Sequence, residues 1–255
     1  MEMAKMDKAT KAALRKCADA YETTSFLGGD EPRDPSWFMH HVKGRENREA
    51  TAFVASALSF GSRAQFLPKV QWIVDRAGGG VDRWIRSGAF EKDFPAGDAR
   101  CFYRFFTFAA MNAFLRTYRN VMEECGTLGG FVRANCGGDA SKAVSAICAR
   151  FNRNGACGVI PRDCGSACKR VCMFLRWMVR SGSPVDLGLW ADFMDRSTLV
   201  IPLDTHVIQE ARKLGLLKSP SASMSAARKL TAALAEAFPG DPARGDFALF
   251  GAGVE

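Results

Sequence analysis

The chain has 255 residues, 47% hydrophobic and 24% charged, with a formal net charge of +8. That is the balance of an ordinary soluble globular protein with ample material for a core. No apolar run approaches the roughly 20 residues a membrane helix needs. The N-terminus lacks the apolar centre of a signal peptide, so a membrane-spanning or exported chain is not expected.

Taken from the N-terminus, the pattern is helical nearly throughout. An amphipathic helix is predicted over about 4–21, with Lys5, Lys8, Lys11 and Arg15 on one side. A solvated charged face explains it, with an arm on nucleic acid as the alternative. Further helices are predicted over 47–60, 63–77, 98–122, 139–152, 165–180, 205–214, 222–237 and 243–253. Clusters of Gly, Pro and Asp separate them, such as "GGDEPRDP" (28–35), "AGGG" (77–80), "SGSP" (181–184) and "FPGDP" (238–242). No segment shows the sustained two-residue alternation of an exposed-face strand. The expected fold is all-α, a single domain over 1–255 made of two helical lobes with the chain crossing between them.

Residues 160–180, "IPRDCGSACKRVCMFLRWMVR", read as a Pro-to-Gly turn running into a helix that carries Lys169 and Arg170 in its first turns. Such a turn offers unpaired backbone N–H groups, which suit a phosphate. A lysine there faces the positive end of the helix dipole, which is mildly unfavourable and so calls for a reason. Arg162, Lys169, Arg170, Arg176 and Arg180 stand here against a single acid, Asp163, and read as a local basic surface suited to a polyanion. Four of the nine cysteines fall in the same stretch, Cys157, Cys164, Cys168 and Cys172. Their spacing does not match paired Cys-x-x-Cys zinc turns. Buried free thiols on one helix face are expected, with an iron–sulfur site as the alternative.

In "TLVIPLDTHVIQEARKLGLL" (198–217) an apolar run ends at Asp204, and a helical pattern follows with Val207, Ile208, Ala211 and Leu214 on one face. Asp is a favoured N-cap, because its carboxylate accepts hydrogen bonds from the first free N–H groups of a helix. A cap alone would explain Asp204; the lysine-bearing segment upstream raises the second reading, a carboxylate aimed outside the protein.

Together "CGSACKRVCMFLRW" (164–177) and "IPLDTHVI" (201–208) resemble the helix-hairpin-helix DNA glycosylase superfamily, in which a Gly-Val-Gly-x-Lys hairpin precedes a Val-Asp-x-His segment. The separation exceeds that of endonuclease III and is closer to the archaeal-type 8-oxoguanine glycosylases. The tail "DPARGDFALFGAGVE" (241–255) also resembles that branch, and "ALSFGSRAQ" (57–65) resembles a helix–turn that contributes to its base pocket and its wedge. The whole is similar to a bacterial family of that superfamily, with the match covering most of 46–255 and the key segments lying at about 159–215.

The resemblance implies a two-lobed glycosylase-like fold and a base-excision glycosylase with associated lyase activity. Lys169 would be the nucleophile and Asp204 the catalytic acid. Arg162, Gly165, Ser166, Arg170 and His206 would meet the DNA backbone; Gly61, Arg63, Met173, Asp246 and Phe250 would line the base pocket. It implies double-stranded DNA with a damaged base, 8-oxoguanine among the candidates, as partner. It implies no cofactor, metal or membrane, a monomer, and a cytoplasmic place on the nucleoid. The sequence departs from the pattern in three ways. The hairpin keeps one glycine, Gly165; Gly61 stands where relatives carry Gln; and no four-cysteine cluster follows Asp204, since Cys172 is the last cysteine. The competing readings are a non-catalytic nucleic-acid binder, a helical scaffold and a cysteine-based metal protein.

Overall fold

The computed structural model describes residues 6–23, 27–153 and 158–251. These are mostly helical: α1 Lys8–Tyr21, α2 Ser36–His40, α3 Arg45–Leu58, α4 Arg63–Arg76, α5 Val81–Arg86, α6 Phe90–Asp93, then strands β1 Cys101–Tyr103 and β2 Phe106–Thr107. The chain continues as α7 Phe108–Cys125, α8 Leu128–Cys136, α9 Ala140–Asn152, α10 Lys169–Val179, α11 Thr205–Lys213, α12 Met224–Leu234 and α13 Gly245–Gly251. Two 3₁₀ turns, Arg196–Thr198 and Pro242–Arg244, interrupt the connections. No described helix is long and apolar enough to cross a membrane.

The chain forms two compact units. One comprises Met1–Thr24, Gly138–Val144 and Asp163–Glu255; the other comprises Ser25–Gly137 and Ser145–Arg162. In the second, α3 is the central helix, buried along nearly its whole length. Its Phe53 meets Phe114, Tyr118 and Phe151 at ring distances of 5.6, 5.1 and 5.1 Å. These are the edge-on and tilted geometries that aromatic quadrupoles favour. A buried carboxylate closes this core: Glu49 accepts from the N–H groups of Leu128 and Gly129 at 2.9 and 3.3 Å, at the positive end of α8.

One expected helix is corrected here. Residues 98–122 were expected to be helical, yet 101–107 form the antiparallel pair β1–β2, and α7 starts only at Phe108. Aromatic residues crowd "CFYRFFTF" and favour extended backbone, and Thr107 then caps α7 by accepting from Ala110 N–H. The short helices α2, α5, α6 and α8 were not foreseen; three of them have six residues or fewer, below the length at which periodicity registers.

In the first unit the amphipathic N-terminal helix is not a free arm. Leu14 and Ala18 of α1 are buried, α1 packs on α13, and Lys11 pairs with Glu236 at 2.9 Å. The approach of α1 to α13 is close enough that a Cβ at Gly251 would strike the Tyr21 ring. At the unit's centre α10 is buried from Val171 to Val179, with Phe174 edge-on to Trp190 at 5.3 Å. The loop after α10 folds back on its C-terminal end: Trp177 carbonyl accepts from Leu187 and Gly188, and Met178 carbonyl from Trp190. That loop delivers Asp186 to the core.

Candidate active site

The sequence brings two helix N-termini together in the first unit. Before α11, Leu199–Leu203 is a buried extended segment whose Ile201 N–H donates to Thr231 Oγ1 at 3.0 Å. This anchors the chain just where it turns into the helix. Asp204 is the N-cap in extended backbone, and its Oδ1 accepts from Val207 N–H at 3.0 Å. The other oxygen, Oδ2, is turned away from the cap and lies 3.8 Å from Lys169 Nζ.

Lys169 is the first residue of α10, so its ammonium sits against that helix's positive end. The N-cap, Cys168, adopts the left-handed region at φ 47 and offers no side-chain cap. Asp204 therefore supplies the countercharge that α10 does not provide for itself. Both side chains are about one-third exposed, 33% for Lys169 and 35% for Asp204, so the pair is open to a ligand without being fully solvated.

A second carboxylate shares this field. Asp246 of α13 is bound through Oδ2 to Arg176 Nη1, and burial pushes its carboxyl up to about 6. Arg176 and Lys169 pull it back down, while Asp204 and Asp186 add to the rise. Arg176 in turn reaches Asp186 at 3.2 Å, and the 4.3 Å approach of its guanidinium to the Phe247 ring fixes it further. One helical turn on, Arg180 contacts Asp186, holds Asp241 at 2.9 Å, and lies 2.8 Å from Glu22. Arg244 closes the network by reaching Glu22 and Asp19, each at 2.7 Å. Burial also raises the Asp186 carboxyl, with Arg176 and Arg180 opposing it. The network ties α10 to α1 and α13, so the lysine helix cannot shift without breaking buried ion pairs.

The remaining expected residues divide clearly. His206, the second residue of α11, meets Phe250 of α13 edge-on at 5.9 Å. Its Nε2 is buried without a hydrogen-bond partner among the described residues. Met173 lies on α10 at 8% exposure, on the helical stripe Lys169, Met173, Arg176, Arg180. Arg170 is half-buried and Arg162 exposed, the latter the last residue of the second unit. Gly61 and Arg63 also belong to the second unit; there Arg63 lies 3.9 Å from Asp34.

Three expectations about residues 160–180 are corrected. The helix begins at Lys169, not 165, and Ser166 instead bridges to Ser223 in a short antiparallel contact. The hairpin N–H groups are largely spent inside the protein: Gly165 donates to Asp163 Oδ1 at 2.8 Å, Ala167 to the Ala222 carbonyl at 2.9 Å, and Cys168 weakly to Ser166 Oγ at 3.4 Å. Lastly, Arg176 and Arg180 are not surface charges but buried members of the ion network, 6% and 3% exposed.

The cysteines do not line one helix face, since Cys164 and Cys168 precede α10 and Cys172 lies within it; Cys157 lies outside the described residues. Cys168 Sγ approaches the Asp163 carbonyl at 3.2 Å, and burial pushes the Cys172 thiol well above its ordinary range. Among the described residues no group of three or more His, Cys, Asp and Glu side chains could hold a metal ion.

The buried network was the part of the site that sequence reasoning missed. Its signal was present: Arg176 and Arg180 follow Lys169 at helical spacing inside an otherwise apolar run, where a charge needs a partner.

A family model described as "Protein of unknown function (DUF2400)" matches residues 34–255, and the chain belongs to that family. No curated protein and no solved structure matches it.

Proposed function

We propose that this member of the DUF2400 family is a DNA base-excision glycosylase with lyase activity, on a helix-hairpin-helix glycosylase-like fold. The observation that carries the reading is the divided carboxylate of Asp204, one oxygen capping α11 and the other 3.8 Å from Lys169 Nζ. A cap needs only the first contact. The second leaves the amine beyond hydrogen-bond distance, held near a carboxylate yet not locked to it.

In the proposed reaction the base is first taken out of the duplex stack, at a cost of a few kcal/mol. The Lys169 amine loses a proton, and its nitrogen then bonds to C1′ of the deoxyribose. The C1′–base bond breaks, and the base leaves with the electron pair and takes up a proton. Opening of the sugar ring gives a Schiff base; loss of a C2′ proton then expels the 3′ phosphate oxygen and cuts the strand. Asp204, fixed at a helix N-terminus, stabilises the positive charge that develops on the sugar.

Phe250, Asp246 and Met173 of the first unit are the proposed base-pocket residues. Because the hairpin N–H groups are occupied, the proposed backbone contacts rest on side chains, Arg162, Arg170 and Ser166, with His206 at α11. The partner is double-stranded DNA carrying a damaged base, with an oxidised purine such as 8-oxoguanine as the proposed lesion. The test is incubation with end-labelled duplexes bearing 8-oxoguanine, uracil, an oxidised pyrimidine or a bare abasic site. Strand cleavage at one of these, absent from the undamaged duplex, is the expected result; four intact duplexes would overturn the proposal.

A further inference from the structure

The hairpin β1–β2 of the second unit ends in a feature that the Lys169–Asp204 chemistry does not use. Its two tip residues are Arg104 and Phe105, and Phe105 is 66% exposed, one of two large apolar side chains exposed among the described residues. The ring stands on an aromatic base. Phe60 lies 5.2 Å and Phe106 4.9 Å from it, and Phe60 in turn meets Tyr103 at 5.0 Å. Tyr103 hydroxyl donates to the Phe60 carbonyl, and Cys101 Sγ donates to the Arg104 carbonyl at 2.9 Å. The tip is therefore propped from below with its outer face open.

Arg104 adopts the left-handed region at φ 53, where a non-glycine residue is strained. This turn lays its guanidinium 5.6 Å from the Phe60 ring. Gly61 borders that guanidinium: a Cβ there would sit 2.5 Å from Arg104 Nη1, so the arginine end would have to shift. Among the described residues no carboxylate pairs with Arg104, whereas Arg100 is neutralised by Asp98. The result is one open aromatic face beside one unneutralised guanidinium.

We propose that Arg104 and Phe105 form a nucleobase-stacking tip, Phe105 stacking on an unpaired or displaced base and Arg104 meeting the adjoining phosphate. A single ring is far smaller than the roughly 1,000 Å² a stable protein interface buries, but it matches the face of one base. The positive charge beside it complements the backbone. The inference rests on the reading that the partner is DNA, and adds where on the second unit a base is met.

The test uses the full chain and a fluorescent duplex with an abasic gap, titrated by anisotropy at several salt concentrations. Phe105→Ala is expected to weaken binding about tenfold without changing the salt slope, and Phe105→Trp to restore it. Arg104→Gln is expected to flatten the slope by about one unit. Because Phe105 is exposed, unchanged thermal unfolding is expected for its variants and confirms that they fold. Wild-type affinity in Phe105→Ala, with Lys169-dependent cleavage intact, would overturn the stacking tip and leave the glycosylase reading standing. No binding of any DNA by the wild type would overturn both. Loss of self-association or of binding to anionic vesicles in Phe105→Ala, with DNA affinity unchanged, would assign the tip to another partner and overturn the proposal.

Discussion

Lys169 Nζ and Asp204 Oδ2 stand 3.8 Å apart at the N-termini of two different helices, while Asp204 Oδ1 caps its own helix at 3.0 Å from Val207 N. One carboxylate thus serves structure with one oxygen and faces the lysine with the other. The two roles are separable by substitution.

Asp204→Asn keeps an oxygen for the cap and removes the charge. It is expected to unfold near the wild-type temperature but to lose most cleavage activity. Asp204→Ala removes the cap as well and should cost about 1 kcal/mol of stability in addition. Thermal unfolding and cleavage rates measured on both variants check this; full activity in Asp204→Asn would take the carboxylate out of the mechanism.

Arg180 is 3% exposed and touches Glu22, Asp186 and Asp241. Arg180→Met would remove the cation of Asp241 and leave Asp186 and Glu22 only Arg176 and Arg244, at an expected cost of about 3–5 kcal/mol. Arg162→Ala, at an exposed position, should stay within about 0.5 kcal/mol. Urea unfolding of the two variants side by side gives the comparison.

The pH dependence follows from Asp246. Its folded carboxyl is raised from 3.8 to about 6, chiefly by burial. The folded state therefore holds the proton more tightly than the unfolded chain. This contribution to stability is fully present below about pH 4 and is lost as pH rises through 6. Asp246→Asn abolishes the titration, so its stability relative to wild type should rise between pH 4 and 7. A difference that stays flat across that window, read by urea unfolding, would contradict the assignment.

How far the sequence revealed these features depended on how local their causes are. Helices α3, α4, α9 and α11 were legible because apolar spacing and caps such as Asp204 act within a few residues. The hairpin at 101–107 was not, since strands of three and two residues are too short for alternation to show. The start of α10 was misplaced because Cys168 takes a left-handed conformation that its side chain does not announce. Lys169 and Asp204 were found from their positions at helix starts. Arg176 and Arg180 were taken for surface charge because their partners Asp186, Asp241 and Asp246 come from later loops and from α13. Charge is readable residue by residue, but burial is decided by the folded chain.

The central claim is that Lys169 forms a covalent imine with the sugar, and borohydride trapping on an abasic duplex tests it most directly. A protein–DNA adduct that survives denaturation, forms with wild type and disappears in Lys169→Gln is the result expected. The same adduct in Lys169→Gln, or none with wild type that binds the duplex, would contradict the account and leave Asp204 as a helix cap alone.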